Sequence, residues 1–219
     1  METTILVYIY LFIAILIRMI PFLNVNISLI NTLLHEVFHV IFAAIFSGNI
    51  RHKIRLEKDG SGLAITNLTS RAPKTLIYIS GYVGSSVSAL LLFYFLSMGM
   101  FKMVVYLIFS IVCISLLLWI RNLYGICWAI SLILLLFTVI YLQNKTLFMH
   151  TSMFLSAVVF IQSIFSAFTV FKLSILERKN AGDATSLANE TYIPAAIWGL
   201  LFFAQALCIG YFILSKFLI

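Results

Sequence analysis

Charge is scarce in this chain of 219 residues: 10% of it is Asp, Glu, Lys or Arg, and only seven residues are acidic. A soluble domain of this length needs far more charged and polar surface, which excludes a water-exposed globule. Cysteine and proline are also few, at three each. Cys113, Cys127 and Cys208 all fall in apolar runs with no C-x-x-C spacing. They therefore read as packing residues, not as a disulfide frame or a thiolate metal site. The basic residues form no stripe interleaved with aromatics, so nucleic acid is excluded as a partner. The start, Met-Glu-Thr-Thr, lacks a basic segment, and no small-residue cleavage motif follows the first apolar run. That run is expected to stay as a membrane span rather than leave as a signal peptide.

What the chain does have is apolar length. It is 63% hydrophobic, with a mean hydropathy of +1.13. A membrane helix takes about 20 apolar residues, and seven stretches qualify on that rule. They run over Ile5–Leu23, Val25–Phe46, Leu76–Met98, Met103–Ile120, Leu123–Leu142, Leu147–Phe171 and Ala195–Leu218. The expectation is an all-α polytopic membrane protein, one integral-membrane domain over residues 1–219, embedded in the lipid bilayer. Pro21 should bend or end the first helix, and the short link to the second predicts an antiparallel hairpin of helices. Ten Lys and Arg fall on the side shared with the N-terminus: Arg51, Lys53, Arg55, Lys58, Arg71, Lys74, Arg121, Lys172, Arg178 and Lys179. The other side holds Arg18, Lys102, Lys145 and Lys216, so the N-terminus is expected in the cytoplasm.

Two further stretches have local patterns. Lys53 to Lys58 alternates polar and apolar, Asp59-Gly60-Ser61-Gly62 turns, and Leu63 to Leu68 follows. This reads either as a solvated basic loop or as a cytoplasmic-side β-hairpin lying at the membrane surface. In the second case its free edge could pair with an unwound substrate strand. The third span carries Gly81, Gly84, Ser85, Ser86, Ser88 and Ala89, small residues that let another helix approach closely.

The sharpest feature is His35-Glu36-Val37-Phe38-His39, set inside the second apolar run. Residues i and i+4 share a helix face, so His35 and His39 can hold one metal ion together. Glu36 then stands where a general base for metal-assisted hydrolysis is needed. The bland alternative is two histidines bonded to helix neighbours beside a tolerated Glu. It leaves three ionisable groups in lipid without a role, which is costly. Asn31 and Thr32, one turn earlier, could support the site or simply satisfy themselves on their own helix. His52, in the basic loop, is expected to be solvated, and His150 to be interfacial.

These residues resemble the site-2 protease family of intramembrane zinc metalloproteases, in its compact B-like branch. The pentad carries the resemblance. Asn31 through Gly48, Asp59-Gly60-Ser61-Gly62-Leu63 with Arg71 and Gly81-Tyr82-Val83-Gly84, and Gly182-Asp183-Ala184 through Pro194 and Trp198 support it. The resemblance implies one zinc ion per chain, Glu36 as the catalytic base, and membrane-protein substrates cut in or near a transmembrane segment. It also implies a place in a cell membrane, a bacterial one being expected. Better-known members take a third zinc ligand from an Asp-Gly motif in a later span, and no apolar run here has that motif. The matching candidate is Asp183; its alternative reading is a helix N-cap before Ala184. Asp59, Glu57 and Glu190 are the alternatives, since two histidines leave a zinc site one protein ligand short. A non-catalytic relative that binds partner helices or metal is the competing reading.

Overall fold

The computed structural model describes residues 2–66 and 71–217, with side chains over 4–66 and 73–217. Helix α1 spans Glu2–Arg18 and α2 spans Pro21–Ser47; strands β1 (Lys53–Leu56) and β2 (Gly62–Ile65) follow. Then come α3 (Arg71–Ser97), α4 (Phe101–Leu118), α5 (Leu123–Leu142), α6 (Lys145–Leu176), α7 (Asp183–Thr191) and α8 (Ala195–Phe217). Six of these helices are long and apolar enough to cross a membrane, and α1 is a shorter apolar helix. The protein is therefore an α-helical integral membrane protein with one small sheet, as its hydropathy predicts.

The break between the first two helices sits earlier than the hydropathy suggests. Helix α1 stops at Arg18, and Pro21 opens α2 rather than ending α1. Proline lacks an N–H, which costs nothing at the first helical position. It also pushes the residue before it to extended backbone, and Ile20 has φ −103 and ψ 102. At its other end α2 closes on Gly48, whose φ of +65 is left-handed and whose N–H bonds the Ala44 carbonyl.

Helices α2, α3 and α6 form the buried centre, while α4, α5 and α8 present most of their surface outward. This division follows composition. The outer helices are apolar on nearly every face, with Leu117, Leu123 and Tyr141 each more than 70% exposed. The central three carry the small and polar residues, which only protein contacts can satisfy in hydrocarbon. The third span does approach α2 closely through its glycines: a Cβ on Gly84 would overlap the ring of Phe38.

The loop after α2 does fold as a hairpin, with Lys53 opposite Ile65 and Arg55 opposite Leu63. Its turn is closed by Glu57 N–H to the Ser61 carbonyl at 2.9 Å, with Gly60 at φ +87. The far end of the expected second strand, Leu68, and the Arg71 side chain lie outside the described residues. The hairpin packs against the helical bundle. It doubles back along α2, where the Gly60 carbonyl accepts from Thr32 Oγ1 at 2.9 Å. Thr32 is 15 residues before the end of α2, about 22 Å along its axis. The alternating side chains explain the position: Ile54 and Leu56 are fully buried, so this face needs the bundle core, not water.

The outer edge of β1 is occupied by the turn between α4 and α5. Ile54 N–H donates to the Trp119 carbonyl at 2.8 Å, and Arg121 N–H donates to the Ile54 carbonyl at 3.1 Å. The Asn122 side chain completes the ladder, accepting from Leu56 N–H at 3.1 Å and donating to its carbonyl at 2.6 Å. Among the described residues the outer edge of β2 pairs with no further strand, and it faces α2.

Candidate metal centre

One turn of helix aligns His35 and His39, and their Nε2 atoms lie 2.9 Å apart on the face of α2 that meets α3. Asp183 reaches both of them. Its Oδ2 is 3.1 Å from His35 Nε2 and 3.2 Å from His39 Nε2, although 148 residues separate it from His35 in the chain. It is the first residue of α7, with Gly182 at the cap position, so its carboxylate is turned to the histidines instead of capping the helix.

Helix α7 is held where this contact needs it. Ala184 and Leu187 are buried. The Trp198 indole donates to Thr191 Oγ1 at 3.0 Å, and Lys74 pairs with Glu190 at 3.4 Å. Gly182, at φ +53 and ψ −123, supplies a backbone turn that a side chain would resist. Burial works against ionisation of Asp183, but His39 and His35 outweigh it and hold its carboxyl well below the usual range.

The donor set suits a metal ion. His39 Nδ1 donates to the Ile77 carbonyl at 2.6 Å, so in the neutral ring it is Nε2 that carries the lone pair, pointing inward. Tetrahedral zinc ligands at about 2.1 Å sit about 3.4 Å from one another, close to the 2.9–3.2 Å separations of these three atoms. His35, His39 and Asp183 are also the one group of three potential ligands found among the described residues. The alternatives are engaged elsewhere. Glu57 pairs with Arg55 at 3.4 Å, Glu190 pairs with Lys74, and Asp59 Oδ1 accepts from Ser61 N–H and Oγ.

Glu36 is buried, 5% exposed, one position on from His35. The Ala64 N–H on the open edge of β2 faces its carboxylate. Gly62, two residues earlier, is pressed so close that a Cβ there would lie 2.8 Å from Glu36 Oε1. Gly81 plays the same part on the other wall, where a Cβ would lie 2.5 Å from His35 Cε1 and 2.6 Å from His39 Nε2. The Tyr82 ring packs edge-on to His35 at 4.6 Å and stacks on Phe202 at 4.5 Å. The triad and Glu36 open on a cavity of about 750 Å³ that also reaches the hairpin, α1 and α6.

Of the remaining candidates, Thr32 Oγ1 bonds the Gly60 carbonyl at the hairpin tip and the Ser28 carbonyl of its own helix, so it ties the hairpin to α2. His52 is not solvated. It is 4% exposed, with Nε2 3.4 Å from Ser47 Oγ, because the chain after Gly48 folds back under α2. His150 bonds the Tyr10 hydroxyl at 2.9 Å and takes no part in the site. The three cysteines are free. Sequence reasoning missed the Ile77 carbonyl, which has no side-chain signal. Gly81 was visible to it as a packing residue, and Gly81 and Tyr82 as part of the family resemblance, but neither as a neighbour of the histidines.

No curated protein and no solved structure matches this chain. A family model does, over residues 6–213, and M50 peptidases are zinc metalloproteases. With nearly its whole length covered, the chain belongs to the peptidase M50B-like family, the B-like branch of the site-2 proteases.

Proposed function

We propose that this protein is an intramembrane zinc endopeptidase that hydrolyses peptide bonds in or next to transmembrane segments of other membrane proteins. The observation that carries the reading is the convergence of two imidazoles and a carboxylate beside a buried Glu, inside an apolar bundle. His35, His39 and Asp183 would hold one zinc ion. Bound there, zinc would supply Lewis acidity toward a peptide carbonyl and make water a better nucleophile near neutral pH.

The chain's own groups do the rest. Glu36 accepts a proton from the attacking water at its carboxylate and passes it to the amine that leaves. The Ile77 carbonyl holds His39 in the correct tautomer, and Gly81 and Tyr82 fix the two rings. A helical substrate hides its peptide bonds in its own hydrogen bonds, so it must unwind first. The open edge of β2 offers main-chain partners for an unwound strand and lies against Glu36. On the distribution of Lys and Arg the N-terminus is cytoplasmic.

Co-expression with tagged single-span proteins tests the reading. Cleavage by wild type and none by Glu36→Gln, at equal zinc content, is the expected result. Cleavage that persists in Glu36→Gln removes the base assignment, and a wild type that binds zinc yet cuts nothing favours a non-catalytic member.

A further inference from the structure

The cavity does not end at the metal triad. Its wall runs along two polar stripes, Asn24, Ser28 and Asn31 on α2 and Gln162, Ser166 and Thr169 on α6, each at helical spacing. At the far end stands Arg18, the last residue of α1. Its Nη1 donates to Gln162 Oε1 at 3.0 Å, and its guanidinium lies 4.2 Å over the Phe165 ring. Gln162 is 4% exposed and donates in turn to Asn24 Oδ1 at 2.8 Å. Among the described residues no carboxylate lies at ion-pair distance from Arg18. Asp59, which lines the same cavity, is bonded to Ser61.

A guanidinium has five N–H donors in a fixed fork suited to a carboxylate, and one of them is used here. Stacking on Phe165 and the bond to a buried amide hold Arg18 against the wall of the cavity. Between it and the triad, Asn31 is 3% exposed and its Oδ1 has no hydrogen-bond partner.

We propose that Arg18, oriented by Gln162 and Asn24, is a specificity subsite for a carboxylate on the substrate peptide. The proposal rests on the peptidase reading above, because it takes the cavity to hold a peptide. Asn24 and His35 are 11 residues apart on α2, about 16 Å, which an extended chain spans in about five residues. The subsite thus selects an acidic side chain, or a chain-terminal carboxylate, about five residues from the scissile bond.

The test uses the full-length, zinc-loaded protein in detergent. Its probes are labelled peptides of Ala, Leu and Ser that end in a hydroxamate, a metal-anchoring group. One Glu, or Gln in its place, is moved residue by residue along the peptide. Wild type should bind the Glu peptide roughly tenfold tighter than its Gln twin at one spacing of about five residues, as a charge-assisted fork contact implies. Arg18→Gln should abolish that difference and leave the Gln peptide unaffected. Gln162→Glu, which keeps Arg18 but gives it an internal carboxylate, should abolish the difference as well, so the test survives misfolding of one variant. Equal binding of Glu and Gln peptides at every spacing overturns the proposal, and so does a Glu preference that persists without Arg18. Equal binding, together with phosphatidylglycerol retained by wild type and not by Arg18→Gln, assigns the site to lipid instead. If the hydroxamate adds nothing while the Arg18-dependent Glu preference remains, the metal reading fails and the subsite stands.

Discussion

Replacing Gly81 with alanine should weaken metal binding at the proposed site while leaving the bundle folded. The new Cβ would sit 2.5 Å from His35 Cε1, and 2.6 Å from both Cε1 and Nε2 of His39. Carbon and nitrogen atoms in ordinary contact stay about 3.4 Å or more apart, so the overlap is about 0.9 Å on two proposed ligands at once. Metal–ligand distances tolerate only about 0.2 Å, and a displacement of that size breaks the site. Loss of global stability should be small. Overpacking costs about 1–3 kcal/mol, and alanine in a helix interior returns about 1 kcal/mol relative to glycine. The net is a destabilisation of about 0–2 kcal/mol. Zinc affinity, measured by chelator competition on purified protein, should fall by roughly 10- to 100-fold, the range seen when the support of a ligand is disturbed. Gly84→Ala is the control, because it drives into Phe38 and not into a ligand. Wild-type zinc affinity in Gly81→Ala would refute the close approach of α3 to the histidines.

Other outcomes follow from the same geometry. His39→Ala and Asp183→Ala should each lose bound zinc by elemental analysis, whereas Glu57→Ala and Glu190→Ala should keep it. Asn122→Ala leaves both the N–H and the carbonyl of Leu56 without their partner, so a melting experiment should show a loss of about 1–3 kcal/mol with zinc retained. Ala64→Pro removes the one N–H that faces Glu36 without touching a β1–β2 ladder bond. Cleavage of any identified substrate should drop while zinc content stays at the wild-type level.

The residues whose placement was legible in the sequence are those whose neighbours lie within a turn or two of chain. Helical spacing alone puts His35, Glu36 and His39 together, and hydropathy alone puts them in a membrane, because both properties belong to a single segment. The alternation of Lys53 to Leu56 likewise announces a strand. It could not say where the hairpin would lie or which edge would stay open. The burial of Ile54 and Leu56 and a side chain 66 residues away, Asn122, decide that. His52 shows the same limit, since a basic neighbourhood suggests water while the fold of residues 48–52 buries it.

Four carboxylates were candidates for the third place beside the histidines; the family resemblance put Asp183 first, and local spacing by itself had no means of ranking them. Each was a polar residue near an apolar run. Helix α7, held by Trp198 and by Lys74 with Glu190, brings Asp183 to within 3.2 Å of both rings, and the other three are spent on nearer partners. The cavity that joins this triad to Arg18 is equally a product of packing, with walls drawn from α1, α2, α6, α7 and the hairpin. Amphipathic spacing and hydropathy are written along the chain and could be read from it. Convergence of groups more than a hundred residues apart depends on how helices pack, and tertiary structure alone decides it.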